Sequence, residues 1–349
     1  MRNSLGNICA VLLVFLVAGS GCSRQTSQVT IDPASLQVYA ALPEVVPPKT
    51  GELTEELIAL GRMLYYEPRL SLEQKTSCNS CHDLSAYGVD GQPTSDGHKG
   101  QQGTRNSPTV YNAAGHFVQF WDGRAPDVEE QAKGPVMNPV EMAMPSEKHV
   151  VAVLNSMPGY VEAFRKAFPK DKDPVSFNNM AVAIGAFERK LVTPARWDKF
   201  LRGDQTALTN EEKAGFNTFA KAGCPTCHVG AYLGGNLYQR LGLMRPYPDQ
   251  SDLGRFAVTK ADSDKMFFKV PSLRNIEKTG PYFHNGKVVT LEQAIAHMGD
   301  YQLGRSLSPV EVQSIVAWMK SLTGEVPAEY IKPPELPKAT ARTPKAAAD

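Results

Sequence analysis

Residues 78–100 read CNSCHDLSAYGVDGQPTSDGHKG, and residues 224–228 read CPTCH. Both contain Cys-x-x-Cys-His, as Cys78, Cys81 and His82 and as Cys224, Cys227 and His228. Across one helical turn, positions i, i+3 and i+4 share a face. Two thiols so placed can add to the vinyl groups of a haem while the histidine beneath binds its iron, the c-type mode of attachment. A thioredoxin-like pair does not need the histidine, and structural zinc needs a closed four-ligand set that neither string completes. The remaining two of the six cysteines, Cys9 and Cys22, lie near the N-terminus. Four cysteines in an exported chain could also form two disulfides, but the adjoining histidines favour haem.

The 349 residues carry a formal net charge of +1. That length is enough for two modest domains, and the absence of a basic stripe argues against nucleic acid as a partner. Arg2 precedes an apolar run, residues 8–18, that is too short to span a bilayer and reads as the h-region of a secretory signal. The expected location is therefore the periplasm. The string AGSGCS resembles a lipoprotein cleavage box with Cys22 as the lipidated residue and anchor, although Gly19 stands where a branched aliphatic is usual. Ordinary cleavage nearby is the alternative.

The expected organisation is a signal peptide over 1–22, a linker or N-terminal arm over 23–50, haem domains over 51–200 and 201–325, and a Pro-rich tail over 326–349, extended or disordered. Helices are expected where apolar residues recur at helical spacing. One begins after the Thr54 cap, a second after the Thr209/Glu212 capping box, and others lie near 146–168, 175–190, 290–298 and 308–323, the last opened by Ser308, Pro309 and Glu311. A helix followed by Cys-x-x-Cys-His thus occurs twice. Strand signals are sparse, so the fold class is mainly α, with two cytochrome c-like haem domains.

Each iron has a second axial position. His98, His116, His149, His284 and His297 remain as candidates, and His98 lies on a loop with Gly88, Gly91, Gly97, Gly100 and Gly103. Glycines ease movement of such a loop. For the second iron, Met298, His297, Met266 and Met244 are open candidates, and a thioether would raise the potential.

The ordered set of both haem strings, TRNSPTVYN, FWDGRAPDVEEQAKGPVMNPVEM, FKVPSLRNIEKTGPYFHNG and MGDYQLG resembles bacterial dihaem cytochrome c peroxidases from about Gly51 to Gly324. The resemblance implies a peroxidatic, low-potential N-terminal haem held by His82 with His98 as removable distal ligand. It implies a high-potential, electron-accepting C-terminal haem held by His228 and Met298. Trp121 matches an electron relay between the haems, Glu141 a distal catalytic carboxylate and Gln131 its polar neighbour. Asn106, with the carbonyls of Thr279 and Pro281, matches a calcium site. The implied activity is reduction of hydrogen peroxide with electrons from a small cytochrome c or cupredoxin, in a homodimer. A plain dihaem carrier is one alternative. Another is a side-chain oxidase similar to the enzymes that mature tryptophan tryptophylquinone, which place a tyrosine where Met298 stands.

Overall fold

A computed structural model describes Met1 and residues 28–347. The signal sequence and Cys22 lie outside the described residues. The helices, in chain order, are α1 (Pro33–Leu36), α2 (Glu55–Tyr65), α3 (Cys78–Cys81), α4 (Val128–Met137), α5 (Glu147–Asn155), α6 (Pro158–Ala167), α7 (Phe177–Glu188), α8 (Arg196–Leu201), α9 (Asn210–Ala222), α10 (Phe256–Thr259), α11 (Leu291–His297) and α12 (Pro309–Lys320). Among the described residues the sheet is a single antiparallel pair, β1 (Tyr238–Arg240) against β2 (Phe267–Lys269), with Tyr238 opposite Lys269. The mainly helical expectation holds. No described helix is long and apolar enough to cross a membrane.

The expected caps are present. Thr54 accepts from the amide of Leu57, and Thr209/Glu212 and Ser308/Glu311 form reciprocal boxes. The helix expected over 146–168 is instead two, α5 and α6. Pro158 opens the second at its first turn, because proline has no N–H to extend the preceding helix.

Two apolar clusters organise the chain. In the first, Leu57, Leu60 and Leu64 of α2 meet Met180, Ile184 and Phe187 of α7, with Tyr160 and Phe164 of α6. The second joins Trp197, Phe216, Phe219, Ile315 and Trp318 from α8, α9 and α12. In each, the helix preceding the haem string crosses its partner at a glycine. A Cβ on Gly61 would lie 1.8 Å from the Ala183 carbonyl oxygen, and one on Gly215 would lie 2.1 Å from that of Ser314. Only glycine permits backbones to approach this closely.

The segments outside the two clusters are packed against them. Residues 28–46 run from the second cluster, where Tyr39 meets Trp197 and Phe216 edge-on, towards the first, where the amide of Val46 bonds to the Arg189 carbonyl. The Pro-rich tail is extended, as expected, but not disordered. Tyr330 stacks on Phe187, Arg69 donates to the Pro337 carbonyl, and the amide of Ala347 reaches the Leu72 carbonyl.

The duplication extends beyond the helix and haem string. Residues 106–125 align with 269–288 without a gap, although only Pro108/Pro271, Asn112/Asn275, Phe120/Phe283 and Gly123/Gly286 are identical. The backbones agree: Asn112 and Asn275 have φ of 64° and 60°, Phe120 and Phe283 65° and 66°. The contacts are reciprocal. The Asn106 amide donates to the His284 carbonyl and the Lys269 amide to that of Trp121. Asn112 and Asn275 both donate from Nδ2 to Thr193 Oγ1, each at 2.9 Å. Mutual pairing of equivalent positions is the signature of a two-fold, here an approximate one inside a single chain.

Near that axis a buried ion pair binds four segments. Asp198 accepts from Arg274 at 2.7 and 3.0 Å and from the amides of Leu42 and Ala195, while Arg274 also donates to the Ala231 carbonyl. Breaking such a pair from one side leaves a buried charge uncompensated. Asp198→Ala is expected to lower stability by about 3–5 kcal/mol, measured by urea denaturation of the haem-loaded protein.

Candidate haem centres

At the second string, α9 ends in Gly223 with φ 99°, a left-handed position that suits glycine. The turn that follows brings the amides of Cys227 and His228 onto the Cys224 carbonyl. His228 Nδ1 donates to the Leu233 carbonyl at 3.0 Å, which leaves Nε2 as the ligating nitrogen. Burial pushes the pKa of this imidazole down, favouring the neutral form that binds metal. Cys224, Cys227, His228 and Met298 line one largely apolar cavity of about 280 Å³. Met298 opens a π-turn at the end of α11, an irregularity common at functional sites.

The four candidates for the second axial position separate here. Only Met298 lines the cavity. Met244 is exposed, Met266 is buried in a cluster with Tyr247 and Phe268, and His297 packs against Tyr247, Phe283 and Tyr301. Free thiols one turn apart, an imidazole with its tautomer fixed and a thioether around one apolar cavity fit a c-type haem.

At the first string, Ser77 and Ser80 form a capping box around α3, and the His82 amide returns to the Cys78 carbonyl at 3.0 Å. His82 is partly buried, and desolvation pushes its pKa down against the backbone contacts at Gly88 and Pro108. The two free thiols and a desolvated, neutral imidazole repeat the pattern of the second centre.

His98 lies beyond this string. Its Nδ1 is 3.1 Å from Glu73 Oε2, and the same oxygen accepts the amide of Lys99 at 2.8 Å. The His98 amide bonds to the carbonyls of Val140 and Glu141. A Cβ on the preceding residue, Gly97, would sit 2.0 Å from the Val140 oxygen, so this junction requires glycine. Glu141 is thereby brought beside the His98 loop. Its Oε1 accepts from Asn138 Nδ2 at 2.7 Å, and burial raises its pKa against the weaker pull of that bond and of the Arg124 charge. Gln131 stands on α4, partly buried.

Trp121 donates its indole N–H to the Asn106 carbonyl at 3.0 Å and meets His284 edge-on. These two rings occupy equivalent positions of the internal two-fold. His284 itself stacks on Phe268 with ring centroids 4.3 Å apart. Asn106, Thr279 and Pro281 all line the cavity, and Asn106 Nδ2 donates to the Gln92 carbonyl, leaving Oδ1 as an acceptor. His149 lies in the first turn of α5. His116 faces the cavity, with Nδ1 3.3 Å from the buried Lys269 ammonium.

Sequence reasoning did not find Glu73, Lys269 or Glu188. Glu73 precedes its string by five residues with no pattern to mark it. A better signal existed for Lys269, namely its alignment with Asn106.

These features define a dihaem protein. The chain belongs to the di-haem cytochrome c peroxidase family, whose model matches residues 55–206, and as a member it carries two c-type haems. It is similar to the cytochrome c551 peroxidase of Pseudomonas aeruginosa, 48% identical over 89% of this chain and 90% of the relative. It is also similar to that of Nitrosomonas europaea, 46% identical over 86% and 88%. Among solved structures, a MauG-like protein associated with microbial copper homeostasis superposes with a TM-score of 0.76 at 28% identity, covering 84% of this chain and 98% of that one.

Glu188, at the end of α7, is buried within electrostatic reach of the Cys78 thiol, and burial pushes its pKa from 4.5 up to about 8. The folded state therefore holds this proton more tightly than the unfolded chain. Its contribution is complete below about pH 4.5 and is lost as pH rises through about 8. Glu188→Gln should remove that loss, which urea midpoints at about pH 5 and about pH 9 would measure.

Proposed function

We propose that this protein reduces hydrogen peroxide to water at the His82 haem, drawing electrons through the His228/Met298 haem from a small cytochrome c or cupredoxin. Carrying the reading is the backbone hydrogen bond that sets His98 beside Glu141, a displaceable ligand next to a partly buried proton-handling group. When bound, the haems supply peroxide binding and one-electron storage.

The chain's residues divide the remaining work. His98 would hold the His82 haem at rest and would have to be released to admit peroxide. Glu141, with Oε1 held by Asn138, would accept a proton from peroxide at Oε2 and return it to the departing oxygen; breaking the O–O bond to give two waters consumes two electrons, which the haems would supply from the donor, and two protons from solvent. Burial suits it to this task by keeping its pKa above that of an ordinary carboxylate. Gln131 is the polar neighbour on α4. Trp121, pinned through its indole N–H at the joint of the two halves, relays electrons. Asn106 Oδ1 and the Thr279 and Pro281 carbonyls would hold a calcium ion at the same joint; neutral oxygen donors suit that ion. Met298 in the cavity favours peroxidase over side-chain oxidase. Export to the periplasm, anchoring through Cys22 and a homodimer complete the proposal.

His98→Gly is expected to be high-spin and active as the oxidised protein, without prior reduction; optical spectra and a peroxide assay read both. An oxidised variant as inert as the parent rules out gating by His98. Glu141→Gln is expected to keep peroxide binding and lose about 100-fold or more in kcat. Turnover within a few-fold of the parent would remove Glu141 from the chemistry.

A further inference from the structure

The internal two-fold pairs Asn106 with Lys269, Thr279 with His116 and Pro281 with Val118. The first member of each pair is a proposed calcium donor. At the second members the structure holds a cation already. Lys269 Nζ donates to the Val118 carbonyl at 3.1 Å and lies 3.3 Å from His116 Nδ1. The Val118 carbonyl is the equivalent of the Pro281 carbonyl. Lys269 is buried, and among the described residues no carboxylate stands within ion-pair distance of it. Asp122 is the anion within electrostatic reach, and it is already engaged by Arg105 and Arg124.

A buried ammonium without a carboxylate partner is costly unless its place demands a positive charge. The two-fold supplies the demand. On one side stand a neutral amide and main-chain carbonyls, a donor set for a hard cation. On the other, the amide is replaced by a side chain ending in three N–H donors, which reaches the equivalent carbonyl.

We infer that Lys269 carries on its own side chain the cation that the Asn106 side takes from solution. The joint between the two halves thus has one fixed and one exchangeable positive charge. This inference rests on the proposed calcium at Asn106, Thr279 and Pro281.

The test is calcium bound per haem-loaded chain, by elemental analysis after desalting, together with the thermal midpoint with and without chelator. The parent is expected to hold one calcium and to lose stability on chelation. Asn106→Lys should hold none and ignore chelator. Lys269→Asn, which restores the amide, should hold two and respond to chelator more strongly than the parent. The inference is overturned if Asn106→Lys still binds calcium and melts lower with chelator, or if folded Lys269→Asn binds only one. Should Lys269→Asn fail to fold, Asn106→Lys decides alone. A parent without calcium overturns the calcium reading itself, before either variant is made, and this inference with it.

Discussion

Two helix crossings without side chains between them set the geometry of everything else. Gly61 against Ala183 and Gly215 against Ser314 let paired helices pack at backbone distance. Each crossing fixes the end of the helix that leads to a Cys-x-x-Cys-His turn. A larger residue at either glycine would push its helix outward, and at Gly215 would carry Cys224, Cys227 and His228 with it. Placement of the second haem string, which follows α9 directly, therefore depends on a contact made upstream of the chemistry, whereas residues 66–77 separate α2 from the first string.

The second organising element is the polar joint between the halves. Thr193 takes one amide from each half, and Asp198 and Arg274 bury a charge pair nearby. Buried polar groups are tolerable only when satisfied, and these are. The joint is thus held by directional bonds rather than by area, which suits a place where two rings, Trp121 and His284, must meet at a set angle.

Much of this was legible in the sequence. The haem strings, the caps at Thr54, Thr209 and Ser308, and the mainly helical class follow from local chemistry that tertiary structure did not override. The broken helix at Pro158 was legible too, but an apolar period running through it concealed the stop. The tail was read as extended or disordered; it is extended, and Tyr330 and Ile331 supply the apolar contacts that fix it, which proline content does not reveal. The second duplication lay in plain letters, yet four identities are too sparse to align without matching backbones. Glu73 acts through a partner distant in the chain and no spacing announces it, whereas Lys269 is marked only by its place opposite Asn106 in that duplication. Family resemblance proposed Glu141; nothing local distinguishes it from a surface glutamate.

One carboxylate oxygen of Glu73 holds both the ring of His98 and the amide of Lys99. A single side-chain rotation would undo both at once. The backbone of His98 keeps its own tether meanwhile, because its amide bonds to the Val140 and Glu141 carbonyls independently of Glu73. The ring can therefore swing while its segment stays moored beside Glu141, a hinged clapper on a fixed mount.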